Sequence, residues 1–205
     1  AVGKIPVNMK NSTIDMLTLS GHKMHSPKGI GALYVRKGVR FRPLIIGGGQ
    51  ERGRRAGTEN VPAIVAIGKA AELELLHLES AAKRQKTLRD RLEQAIIELV
   101  DECEINGGAT QRLHNTTNIG FKYIEGEAIL LLLNQHGICA SSGSACSSGS
   151  LEPSHILRSM GVPYTTLHGS IRFSLSRYNT EADIDAVLAV LPAIVRRLRE
   201  LSPFK

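Results

Sequence analysis

At 205 residues and 22.2 kDa the chain has room for one large domain or two small ones, and 42% hydrophobic with 22% charged residues excludes a disordered or collagen-like polymer. Four Phe, four Tyr and no Trp make the core aliphatic and leave little for stacking single-stranded bases. The apolar runs fall well short of the roughly 20 residues that cross a bilayer, and no signal-peptide pattern opens the chain. Three cysteines without CxxC spacing indicate neither a disulfide framework nor a zinc site, so a cytoplasmic, reducing compartment is expected. The first residue is Ala rather than Met, which fits a piece of a longer protein.

The net charge of +7 is unevenly placed: residues 1–58 hold 11 Lys and Arg against 2 acids, and the rest hold 15 against 17. A basic first quarter suits a phosphorylated cofactor or an acidic partner as well as a phosphate backbone. No nucleic-acid-binding motif accompanies it, so nucleic acid is not the expected partner, and neither is a membrane.

In chain order, Ile14 to Ser20 reads as a short strand that stops at Gly21-His22-Lys23. Ile30 to Val35 is a second strand, and a turn at Lys37-Gly38 leads into a third candidate, Val39 to Ile46. A glycine-rich stretch from Gly47 to Gly57 follows. Asn60 before Val61-Pro62 is a helix start, and apolar residues at three- and four-residue steps (Ile64, Ile67, Ala71, Leu75, Leu78, then Leu88, Leu92, Ile96, Leu99) carry a helical pattern to about Val100. This is either one helix bridging two lobes or two helices broken near Ser80. Glu79, Lys83, Arg89 and Glu93 are expected on its open face.

Beyond it, Cys103 to Gly108, Thr117 to Tyr123 and Ile138 to Ala140 read as strands, and Glu125 to Gln135 as a buried helix. Ser141 to Ser150 consists of Ser, Gly, Ala and one Cys, and a short helix then ends near Gly161. Ser170 to Ser176 alternates apolar Ile171, Phe173 and Leu175 with polar neighbours, and a last amphipathic helix begins at Asn179-Thr180-Glu181. Strands alternating with helices place the chain in the α/β class, with domains expected at 1–100 and 101–205.

Three residues stand out chemically. Lys23, at a strand-to-turn junction among Ser20, Gly21 and His22, is placed to be held rigidly, and lysines of depressed pKa form Schiff bases; a solvated loop charge is the plainer reading. Cys146 lies in the Ser/Gly stretch, away from the apolar company that makes a structural thiol inert. Cys103 and Cys139 sit beside apolar residues and are expected to be structural. Arg172, between Ile171 and Phe173, must be paired internally or aimed into a polar cleft where it can grip a carboxylate. The seven His show no ligand spacing, so no metal site is assigned.

Four stretches, SGHKMHSPKGIGALYVRKG (20–38), GGGQERGRRAGTENVP (47–62), ASSGSACSSGSLEPSHILRSMG (140–161) and SIRFSLSRYNTEADID (170–185), together resemble the cysteine desulfurases of the NifS/IscS type, which are fold-type I pyridoxal-phosphate enzymes. The long Ser/Gly cysteine stretch is similar to the first of that family's two groups. The resemblance implies the C-terminal part of that fold: the remainder of a large mixed-sheet domain, a long bridging helix and a small α/β domain. It implies that Lys23 holds pyridoxal phosphate, that Ser20 and His22 contact its phosphate, and that Thr58 reaches the phosphate of a neighbouring subunit's cofactor in a homodimer. Arg172 would grip the carboxylate of L-cysteine and Cys146 would take its sulfur as a persulfide, for delivery to an iron–sulfur scaffold or another acceptor protein. Members of that family are about twice as long, and their N-terminal half supplies the aspartate and histidine that contact the cofactor ring, so this chain alone is expected to be inactive. A selenocysteine lyase or another enzyme of the same fold, and an inert fragment that only binds a scaffold partner, are the alternatives.

Overall fold

The computed structural model describes residues 1–108, 111–143 and 153–203. It divides into two compact units, Ala1–Glu79 and Ser80–Lys205, so the division falls inside the long helix, about twenty residues before the boundary expected at 100.

In the first unit, β1 (Met16–Ser20) and β2 (Gly31–Val35) form an antiparallel pair with Met16 opposite Val35 and Ser20 opposite Gly31. Gly31 has to be glycine here, because a Cβ would stand 2.8 Å from the Leu19 carbonyl. The expected third strand, Val39 to Ile46, does not form: the chain turns with Val39 N–H on the Arg36 carbonyl, Pro43 offers no donor, and Leu44 and Ile46 are 96% and 86% exposed. Apolar residues alone did not make a strand without a neighbour to pair with. A short turn of helix, α1 (Gln50–Gly53), follows.

Helix α2 (Val61–Leu99) is one element of 39 residues, about 58 Å at 1.5 Å per residue. Asn60 caps it, its Oδ1 accepting the Ala63 N–H at 3.3 Å. Its later half buries Gln85, Leu88, Leu92 and Ile96 along one stripe. The earlier half of the predicted stripe is not covered: Ile64 and Leu75 are exposed, as is Leu99. Arg89 and Glu93 also depart from expectation, being buried rather than on the open face, because Arg112 closes over Glu93 with two contacts of 2.5 and 2.6 Å.

The second unit is built on an antiparallel sheet of β3 (Cys103–Ile105), β4 (Thr116–Phe121) and β5 (Ser170–Ser174) in that spatial order. One face of the sheet carries Ile119, Phe121, Ile171 and Phe173 into the core against α2, α3 (Gly126–Gln135) and α6 (Glu181–Leu201). Two short helices, α4 (His155–Ser159) and α5 (Tyr164–Leu167), precede β5. A capping box starts α6, with the Asp183 carboxylate accepting the Thr180 N–H at 2.8 Å. Ile138 to Ala140 is not a strand; the bridge to the sheet is made one residue later, by Ser141 to Arg172.

Candidate functional site

Lys23 lies on a 3-10 turn, Gly21–Met24, that follows β1 directly. Gly21 N–H donates to the Ile30 carbonyl at 2.9 Å, and the Gly21 carbonyl accepts the N–H groups of His25 and Ser26. His25 closes the turn in the left-handed region at φ 63°. Gly21 and Met24 point into the unit and are buried, so Ser20, His22 and Lys23 are presented together on the exposed side. A Cβ at Gly21 would meet Ile30 Cγ2 at 2.8 Å, which is why the turn seats so closely on β2. The donor set suits pyridoxal phosphate: a primary amine for an aldehyde carbon, and a hydroxyl and an imidazole for phosphate oxygens.

Thr58 follows Gly57, whose φ of 103° needs glycine, and is exposed. The preceding residues are tethered, Ala56 N–H to the Ile45 carbonyl at 3.1 Å and Gly57 N–H to Gln50 Oε1 at 3.2 Å. Three arginines of this stretch, Arg52, Arg54 and Arg55, are exposed.

Arg172 belongs to the second unit. On β5 it faces away from Ile171 and Phe173, onto the polar side of the sheet, and is half-buried. Its Nε is buried without a hydrogen-bond partner, and no carboxylate pairs with Arg172, among the described residues. Its backbone is bridged on the far side by Ser141, with Arg172 N–H to the Ser141 carbonyl at 2.6 Å and the reverse bond at 3.2 Å.

Cys146 lies outside the described residues. Of the other thiols, Cys103 meets its expectation: half-buried, with Sγ 3.0 Å from the Val100 carbonyl, and pushed up in pKa by burial, against a smaller downward pull from Arg199. Cys139 does not; it is exposed, because Ile138 rather than Cys139 packs toward the core. Sequence reasoning also passed over the two residues that flank Arg172 in the sheet, Asn118 on β4 and Ser141. Only strand register identifies them, and no local motif reports it.

The sequence pattern of the aminotransferase class-V family matches residues 1–187. A protein named cysteine desulfurase from Trichormus azollae is 77% identical over 205 residues, covering all of this chain and 51% of that protein. The cysteine desulfurase NifS of Azotobacter vinelandii is 58% identical over 204 residues, again covering all of this chain and 51% of its own length. A solved NifS-like protein superposes with a TM-score of 0.87 at 39% identity, over 97% of this chain and 51% of that one. The chain thus spans about half the length of the curated relatives it matches.

Proposed function

Because the chain belongs to the aminotransferase class-V family, we propose that it is the part of a pyridoxal-phosphate-dependent cysteine desulfurase that carries the cofactor lysine, the substrate arginine and the sulfur-accepting cysteine. The observation that carries this reading is the identity of 77% along the whole chain to a protein named for that activity. The reaction converts L-cysteine to L-alanine and leaves the sulfur on the enzyme.

Lys23 holds the cofactor, and its amine moves the proton at the substrate's α-carbon. Ser20 and His22 hold the phosphate, and Thr58 serves the phosphate of a second copy's cofactor, which makes the working enzyme a homodimer. Pyridoxal phosphate, when bound, supplies the electron sink that lets a carbanion form beside the amine. Arg172 orients the substrate by its carboxylate, and its half-buried place on β5, between the core residues Ile171 and Phe173, supports that role. The Cys146 thiolate forms an S–S bond to the substrate sulfur as the substrate's C–S bond breaks. The electron pair of the broken bond stays with the carbon, which takes up a proton and leaves as alanine. The sulfur is oxidised to the persulfide level, the carbon is reduced, and no outside oxidant is needed. The persulfide then passes to an acceptor protein, such as a scaffold for iron–sulfur assembly.

The first unit supports a need for further chain. Its buried apolar residues are few, Met24, Ala56 and Ala70, while Leu33, Ile45, Ile64 and Val65 are among its exposed ones. A unit with so little core does not enclose a cofactor ring. The test is borohydride reduction of the chain assembled with the half of its relatives' length that it does not span, followed by peptide mass analysis. A pyridoxyl group fixed on Lys23, together with cysteine-dependent release of sulfide that is lost in Cys146→Ser, supports the proposal. A pyridoxyl group on another lysine, or sulfide release unchanged in Cys146→Ser, refutes it.

A further inference from the structure

The polar face of the second unit's sheet carries a donor beside Arg172 that the reaction as described leaves unused. Asn118 on β4 stands directly opposite Arg172 on β5. The hydrogen bonds of Arg172's backbone run to Ser141, and the Asn118 carbonyl accepts the Asn106 N–H at 2.8 Å on the other side. Asn118 and Arg172 are therefore a non-hydrogen-bonded pair of the antiparallel ladder, the closer kind, with Cα atoms about 4.5 Å apart and side chains on the same face.

The orientation of the Asn118 amide follows from a chain of donors. The Ser170 hydroxyl donates its one hydrogen to the Thr166 carbonyl at 2.8 Å, so its oxygen is left to accept. It accepts from Asn106 Nδ2 at 3.1 Å, which fixes that atom as the nitrogen. The second hydrogen of the same Nδ2 goes to Asn118 Oδ1 at 2.6 Å. Asn118 is thereby held by its oxygen, and its own Nδ2 donates to nothing among the described residues. Ser170 is fully buried, so the relay is anchored in the unit's interior. The result is two donor-bearing side chains at paired positions on one face of the sheet, the Arg172 guanidinium and the Asn118 amide nitrogen.

We propose that Asn118 is a second ligand of the substrate carboxylate, donating from Nδ2 beside Arg172, and that Asn106 is its positioning residue. Two adjacent donors of this kind match the two oxygens of one carboxylate. This rests on the reading of Arg172 as the substrate arginine and adds to it the residue that discriminates a carboxylate from a bare amine.

The test uses the chain assembled with the half of its relatives' length that it does not span, and compares by calorimetry the binding of L-alanine with that of ethylamine, its analogue without the carboxylate. Asn118→Ala is expected to lower the alanine-to-ethylamine affinity ratio about tenfold, with ethylamine binding unchanged, as loss of one hydrogen bond to a charged group requires. Asn118→Asp, of equal size, is expected to lower the ratio further by setting a carboxylate against a carboxylate, and Asn106→Ala to lower it about threefold. An unchanged ratio in both Asn118 variants, or equal weakening of both amines, overturns the proposal. Asn118→Asp keeps the side-chain volume and decides the matter if Asn118→Ala does not fold. Sulfide release from L-cysteine by the unsubstituted enzyme is scored separately, so failure of the desulfurase reading is seen there and not in the ratio.

Discussion

Glu93 is the keystone of the buried charges on α2, and removing its charge is the sharpest test of how the second unit holds together. Its side chain is 8% exposed and accepts two hydrogen bonds from Arg112, at 2.5 and 2.6 Å, while Arg89 Nε stands 3.9 Å away. Arg89 is itself only 6% exposed and otherwise has Asp90 at 2.7 Å and the Leu113 carbonyl at 3.2 Å. Glu93→Gln leaves two guanidiniums facing a neutral amide, and breaking a buried pair from one side costs about 3–5 kcal/mol. Part of Arg112 still reaches water and Arg89 keeps Asp90, which places the expected loss near the lower end, about 3 kcal/mol. Arg112→Gln leaves Glu93 with Arg89 alone and is expected to cost about 2 kcal/mol. At about 3–4 °C per kcal/mol for a unit of this size, Glu93→Gln lowers the melting temperature by about 10 °C. Calorimetry of the two single variants and the double variant is the assay, and the double is expected to fall short of the sum by at least about 1 kcal/mol. Strict additivity, or a loss below about 1 kcal/mol in Glu93→Gln, would refute the claim that these charges form one buried network.

Gly169→Ala is expected to cost more than about 3 kcal/mol, or to prevent folding, because the added Cβ would collide with the Phe121 carbonyl oxygen and stand 2.8 Å from that of Ile124. Circular dichroism melts check this, with Gly137→Ala, which meets nothing within 4 Å but has a φ of 73°, as a milder comparison expected to cost about 1 kcal/mol. Thiol labelling near pH 8 is expected to modify Cys139 well before Cys103, since burial both covers Cys103 and raises its pKa. A raised thiol pKa favours the neutral form in the folded state, so this contribution to stability is full below the unfolded value and is lost as pH rises through the folded one. Labelling of Cys103 at the rate of Cys139 would contradict the packing of Cys103 against the end of α2.

Elements whose signals are local were legible in the sequence. The Asn60 cap, the three- and four-residue steps of α2 and the Thr180 start of α6 are such signals, and each produced its element. The failures share a different cause. Val39 to Ile46 has apolar content but no neighbouring strand, and strand formation depends on a partner that periodicity does not report. Glu93 was expected on the open face because its cover, Arg112, arrives from 19 residues further along. Cys139 was expected inside because of its neighbour, yet a one-residue change of direction turned it out. The candidate site divides the same way. The rigid turn beneath Lys23 is written in GHKMHSPKG, whereas the pairing of Asn118 with Arg172 and the donor relay behind it exist only in the register of three strands.

In the proposed reaction sulfur from L-cysteine is held on Cys146. This is tested most directly by treating the chain, assembled with the half of its relatives' length that it does not span, with one equivalent of L-cysteine and measuring the masses of its cysteine-containing peptides without reductant. One added sulfur atom is expected on the Cys146 peptide alone, with alanine released in equal amount and no added sulfur in Cys146→Ser. Added sulfur on the Cys139 or Cys103 peptide, or alanine released with none on Cys146, would contradict it.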